Sequence, residues 1–145
     1  MTVVRKSALV PYSAAEMYTL VDGIESYPQF LPWCRSSTVH HRTPEEARAT
    51  LEMARGGIQK SFTTLNRMQA DKIIEVRLVE GPFRQLNGFW RFDQLGERAC
   101  KVSLDMDFEF SSRMLELMIG PVFSQIANTL VDAFHKRAVE VYGKR

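Results

Sequence analysis

Cysteine is scarce in this 145-residue chain: Cys34 and Cys100 stand far apart, with no C-x-x-C and no histidine at metal-ligand spacing. That argues against a disulfide framework or a cysteine-built zinc site, and predicts two reduced, partly buried small hydrophobes. Charge of one sign is lacking too. Nineteen Lys and Arg meet 17 Asp and Glu, a net +2, too balanced for the blanket positive field of a dedicated nucleic-acid binder, though not for a local basic patch. No apolar run reaches signal-peptide length in the N-terminal MTVVRKSALVPYS, and none approaches the ~20 residues of a membrane span. Repeats, low-complexity tracts and Pro/Ser/Gly linkers are absent. The expectation is a soluble, cytoplasmic protein that folds as one domain over residues 1–145 and buries about two-thirds of its surface.

Chemistry-bearing constellations are thin as well. No nucleophile is paired with a base and an orienting group. His40 and His41 are adjacent on a strand and so point to opposite faces, and His135 falls near the edge of a long helix. Asp105, Asp107 and Glu109 share one face of a strand, where they repel rather than chelate, so no metal site is expected. Gly56-Gly57 has no following helix and is not a phosphate loop.

What is present is a readable order of elements. Thr2 to Val10 predicts a strand that stops at Pro11. Ser13-Ala14-Ala15-Glu16 predicts a capping box opening a short helix that ends near Gly23. Pro28 and Pro32 then break any long helix among Tyr27, Phe30, Leu31 and Trp33. From Ser36 to Phe110 apolar residues alternate with polar ones, and turns fall at Pro44 to Glu46, Gly56-Gly57, Ala70-Asp71, Gly81-Pro82 and Gln94 to Glu97, as in a meander of antiparallel strands. Val102, Leu104, Met106, Phe108 and Phe110 mark its buried face, so the sheet is covered on one side only. The cover is Ser112 to Tyr142, a helical stripe of about eight turns stopped by Gly143, with a kink or a short preceding helix expected at Gly120-Pro121.

A long helix laid on a curved sheet leaves space that only large side chains fill. The chain has 9 Phe, 4 Tyr and 2 Trp, many at inward positions such as Phe62, Trp90, Phe92, Phe108 and Phe134. An aromatic-lined cavity for an apolar ligand and a simply filled aromatic core both fit that pattern. Tyr27, Phe30, Trp33 and Phe83 are expected in Pro-rich connections, where apolar residues either ring an opening or pack under the sheet's rim. Arg84 is placed to bind a polar group of a ligand, a carbonyl or a phosphate, at such a mouth, or to pair with Glu80 or another acid on the surface.

Three separated segments, Asp22 to Cys34 (DGIESYPQFLPWC), Glu80 to Phe92 (EGPFRQLNGFWRF) and Phe134 to Gly143 (FHKRAVEVYG), resemble the coenzyme Q-binding and ribosome-association-toxin family. That family belongs to the START-like, helix-grip superfamily, also labelled polyketide cyclase/dehydrase-like, and the resemblance runs end to end. It implies an α+β helix-grip fold: a seven-stranded curved antiparallel sheet wrapped around the C-terminal helix, with two short helices after strand 1. It also implies binding of a polyprenyl quinone such as ubiquinone, or a related lipid, as a carrier or chaperone serving respiration, with no resident cofactor and no catalysis. Phe30 and Trp33 are then expected at the mouth of a hydrophobic tunnel, with Phe83, Leu86, Trp90 and Phe123 deeper.

An alternative implied by the resemblance is binding to the large ribosomal subunit, blocking subunit association and translation initiation. For it the chain offers Arg35, His40, His41, Arg42, Arg48, Lys136, Arg137, Lys144 and Arg145, whose phosphate contacts would weaken steeply with salt. Transient contact with the inner-membrane surface accompanies the lipid reading. The weakest alternative, an aromatic polyketide cyclase, requires a proton-transfer residue inside the cavity.

Overall fold

The computed structural model describes residues 1–145. Its elements are β1 (Thr2–Val10), α1 (Ala14–Asp22), a short 3₁₀ helix (Ile24–Gln29), β2 (Cys34–Arg42), β3 (Glu46–Arg55), β4 (Ile58–Gln69), β5 (Ile73–Glu80), β6 (Phe83–Gln94), β7 (Cys100–Phe110) and α2 (Arg113–Tyr142). The strands form one antiparallel sheet in the order β1-β7-β6-β5-β4-β3-β2. Sequential strands pair across short turns, and β1 closes onto β7 as the one long-range pairing. This is the expected architecture: a curved seven-stranded antiparallel sheet, two short helices after β1 and one long helix gripped by the sheet.

The turn chemistry sets the register. Gly56 and Gly57 lie at φ +61° and +81°, a left-handed pair that a two-residue hairpin requires and glycine alone adopts freely. Arg55 therefore faces Ile58, and the same pairing carries through to Ala49 opposite Thr64 and Ala47 opposite Asn66. Register shifts interrupt β2/β3, β4/β5 and β6/β7; such bulges bend strands and deepen the curl of a sheet.

The N-terminus of α1 is the predicted capping box: the Glu16 amide donates to Ser13 Oγ at 3.1 Å, and the Ser13 amide donates to Glu16 Oε1 at 2.9 Å. Glu16 also takes a bidentate hydrogen bond from Arg145 at 2.7 and 2.8 Å. Tyr12 Oη donates to the Gly143 carbonyl and Tyr142 Oη to the Glu16 carbonyl, so the last turn of α2 is fastened to the start of α1. Cys34 and Cys100 are free and buried, and burial first of all pushes both thiols up to about 11.

No separate short helix precedes Pro121: α2 runs as one element from Arg113 to Tyr142 with the proline inside it. Proline removes the hydrogen bond to the carbonyl four residues back, but Leu117 and Pro121 lie on the exposed side of the helix, where water can take the place of the missing donor. By length and composition α2 is also apolar enough to cross a membrane, which a reading of uninterrupted runs does not reveal. In this fold its apolar stripe, Ile119, Phe123, Ile126, Ala127, Val131, Phe134 and Ala138, is buried.

Candidate ligand-binding cavity

The stripe on α2 meets two different surfaces of the sheet. Toward its N-terminal end Phe123 sits among rings: 4.8 Å from Phe108 and 4.9 Å from Phe83, centroid to centroid, with Phe62 and Phe110 at 6.1 and 6.2 Å. Most of these contacts are edge-to-face, the arrangement that the quadrupole of an aromatic ring favours. About three turns further on, Phe134 packs edge-on against Trp90, Tyr27 and Phe30 at 5.3 to 5.5 Å. Between the two clusters the inward residues are small: Ala127 on α2, Ala47 and Ala49 on β3, Gly88 on β6.

A cavity of about 90 Å³ occupies that gap. Ile24 and Tyr27 of the 3₁₀ helix, Trp33, the inward residues of β3 to β7, and Phe123 to Phe134 of α2 enclose it. Of the lining residues only Thr64, Asn66 and Gly88 are not hydrophobic. No carboxylate, imidazole or amine faces the space; the polar groups on its lining residues are those of Thr64 and Asn66, the indole N–H groups of Trp33 and Trp90, and the Tyr27 phenol, whose hydroxyl donates to the Val21 carbonyl. Burial first, and then the nearby Asp22 charge, pushes the Tyr27 phenol well above its ordinary value.

A second depression, about 710 Å³, is an open groove between Phe30 to Trp33 on one side and α2 from Gln125 to Glu140 on the other, with Arg55 at its rim. Trp33, Ile126 and Leu130 line both spaces and are the partition between them. The Arg137 guanidinium lies 4.9 Å over the Phe30 ring and donates to Gln29, fixing the groove's outer edge.

The expected site residues fall into separate groups in the fold. Trp33, Leu86, Trp90 and Phe123 line the inner cavity together. Phe30 borders only the groove. Phe83 is not in a loop: it opens β6, is buried, and stacks on Phe110 at 5.0 Å inside the packed aromatic cluster. Arg84, next along β6, points to the opposite face, is 67% exposed and pairs with Glu109 at 3.5 Å. It does not reach the cavity, so the surface ion pair expected as its alternative is what forms, with Glu109 in place of Glu80.

Sequence reasoning missed Thr64, Asn66 and Gly88. The signal was the Gly-Gly hairpin itself, since its register turns even-numbered residues of β4 inward and so puts a threonine and an asparagine where apolar residues are the rule.

The basic residues gathered for ribosome binding are partly neutralised. Arg42 bonds Asp22 and Glu25 at 3.0 Å each, Arg145 bonds Glu16, Arg35 lies 3.7 Å from Glu52, and Arg137 lies 3.9 Å from Glu140. His40 pairs with Thr50, and His41 stands 4.0 Å from Glu46.

A long helix gripped by a curved antiparallel sheet, with an apolar cavity at the crossing, defines a START-like protein. The chain belongs to the family described as polyketide cyclase/dehydrase and lipid transport, whose model matches residues 10–135. It is 44% identical over 142 residues to the ribosome association toxin RatA of Escherichia coli, covering 98% of this chain and 90% of that one. It is 26% identical to the mitochondrial coenzyme Q-binding protein coq10 of Schizosaccharomyces pombe, over 92% of this chain and 85% of that one. A START superfamily protein from Mycobacterium smegmatis shares the fold at a TM-score of 0.73 and 22% identity, over 92% of this chain and 97% of that one.

Proposed function

We propose that this chain binds a hydrophobic ligand of the polyprenyl quinone class between sheet and helix, as a carrier or chaperone acting without covalent chemistry. The observation that carries this reading is the apolar cavity at the centre of the grip, separated from an outer groove only by Trp33, Ile126 and Leu130. The similarity to a coenzyme Q-binding protein supports the choice of ligand. Burial of one isoprene unit contributes roughly 4 kcal/mol gross at ~0.8 kcal/mol per methylene, before the costs of association. The inner cavity, about 90 Å³, is well below the ~300–1,000 Å³ of sites for drug-sized ligands. It receives one prenyl segment as it stands. A ring enters only when the partition moves and joins cavity to groove. Trp33, Leu86, Trp90 and Phe123 hold the buried part of the ligand, and Phe30 meets the part in the groove.

The test is purification without detergent from quinone-producing cells, followed by solvent extraction and mass spectrometry against an unrelated protein. Near-stoichiometric polyprenyl quinone is expected. An empty extract from a protein that also fails to take up added quinone overturns the reading.

A second reading, association with the large ribosomal subunit, is favoured by the 44% identity to a ribosome association toxin. Its test is co-sedimentation with purified large subunits across a salt series. Binding that falls steeply with salt supports it, and protein remaining at the top of the gradient at low salt contradicts it.

A further inference from the structure

Apart from Tyr, Trp and Cys, Thr64 and Asn66 are the only buried side chains that carry a polar group, and both line the same cavity. They stand two residues apart on β4 and so on one face of the strand, and the Thr64 hydroxyl donates to Asn66 Oδ1 at 3.1 Å. That bond satisfies the asparagine's carbonyl and fixes its amide plane. The other end of the amide, Nδ2, carries two N–H groups and makes no hydrogen bond within the chain, although Asn66 is only 8% exposed. Nor is Nδ2 sealed in the packing, since the one occluded side-chain polar atom without a partner is Ser37 Oγ. An amide donor left without an acceptor in an apolar site carries a desolvation penalty, which an acceptor on a guest removes.

The neighbours define which acceptor fits. Ala47 and Val76 flank Asn66 across the sheet, and Gly88 follows in the same row, so the approach to Nδ2 is lined by small apolar groups. No Lys, Arg or His lines the cavity, so a carboxylate or phosphate guest would bury its charge unpaired. A neutral carbonyl oxygen needs no counter-charge and accepts from an N–H donor.

Resting on the hydrophobic-ligand reading above, we propose that Asn66, oriented by Thr64, selects ligands that bring a neutral carbonyl-type oxygen into the cavity, by donating Nδ2–H to it. Asn66 is thus a specificity residue: hydrophobic burial supplies most of the affinity and the amide discriminates between ligands of equal apolar area.

The experiment compares geranylacetone, a prenyl ketone, with the hydrocarbon of the same skeleton lacking the oxygen, both titrated into the full-length protein and followed by calorimetry. The wild type is expected to prefer the ketone by roughly fivefold to tenfold, the scale of one net hydrogen bond, after correction for the ligands' different water-to-alkane partition. Asn66→Leu is expected to abolish that preference while still binding the hydrocarbon. Thr64→Val, which keeps the side-chain shape and removes the orienting hydroxyl, is expected to reduce it about twofold to threefold, and serves alone if the leucine variant does not fold. Binding of both ligands with no preference in the wild type, or a preference unchanged in either folded variant, overturns the role of Asn66 and leaves hydrophobic-ligand binding standing. Failure of the wild type to bind either ligand overturns hydrophobic-ligand binding itself, and the proposal with it.

Discussion

Phe123 and Ala127 lie one turn apart on the same face of α2, and the sheet beneath them changes character over that distance. Under Phe123 the inward positions are Phe62, Phe83, Phe108 and Phe110, and ring meets ring at 4.8 to 6.2 Å. Around Ala127 they are Ala49, Thr64, Asn66, Val76 and Gly88, and the space stays open. Both regions are built from one sheet and one helix. The difference is side-chain volume, because protein interiors pack to near-crystalline density wherever the residues permit it. Where rings from sheet and helix meet, this fold is closed, and where small residues of β3, β4, β6 and α2 converge it leaves a space, itself walled by Trp33, Trp90 and Phe134, that can hold a guest.

The largest expected effect comes from breaking the closed region. Phe108→Ala removes a ring that is 1% exposed and is expected to cost about 3–5 kcal/mol, read as a lower urea midpoint. Next is Gly81→Ala. A Cβ there would stand 2.7 Å from Phe62 Cβ, and the shift it forces at the cluster's edge is expected to cost about 1–3 kcal/mol in the same assay. In the open region the balance reverses. Ala49→Leu places three carbons in the void and is expected to leave stability within about 1 kcal/mol of wild type, while ligand uptake in an equilibrium titration falls severely. The smallest effect lies outside both regions, at Glu16, whose carboxyl is held at about 2 against the ordinary 4.5, chiefly by the hydrogen bond from Arg145 and then by the backbone of Ser13. A carboxylate with a depressed pKa contributes its full stabilisation above 4.5 and loses it as pH falls toward 2. Urea midpoints measured across that window are expected to fall further in wild type than in Glu16→Gln, which keeps only the decrement of the other carboxylates, Glu52 among them.

Turn chemistry and alternation made most of the architecture readable in advance. Gly56-Gly57, the Ser13–Glu16 box and the inward row of β7 each stand where the residues imply. Two local rules misled. Proline at 121 allowed a short separate helix before it, but the Leu117 carbonyl that it leaves without a donor lies on the wet side of α2 and the helix continues. Gly81-Pro82 implied a loop around Phe83, whereas β6 begins at that residue and its ring belongs to the core. The cavity was harder to foresee for a physical reason: a void is the absence of side chains contributed by several distant strands. Ala49, Thr64, Gly88 and Ala127 mean nothing singly, and only their convergence across register and helix phase leaves space. Trp33, Leu86 and Trp90 were reached through the resemblance of their segments to a family, and Phe123 through its inward place on the helical stripe of Ser112 to Tyr142. Arg84 lay in the same segment but points out of the opposite face of the strand, as its parity relative to Leu86 requires.

The chain contains two tryptophans, and Trp33 and Trp90 both line the cavity, so intrinsic fluorescence reports directly on its occupancy. The decisive measurement is quenching of that fluorescence by a short-chain ubiquinone, corrected for inner-filter absorption, in wild type and in Ala49→Leu. Saturable quenching near one equivalent that is lost in the variant is the result predicted here. Linear, unsaturable quenching of equal slope in both proteins would contradict ligand binding between sheet and helix.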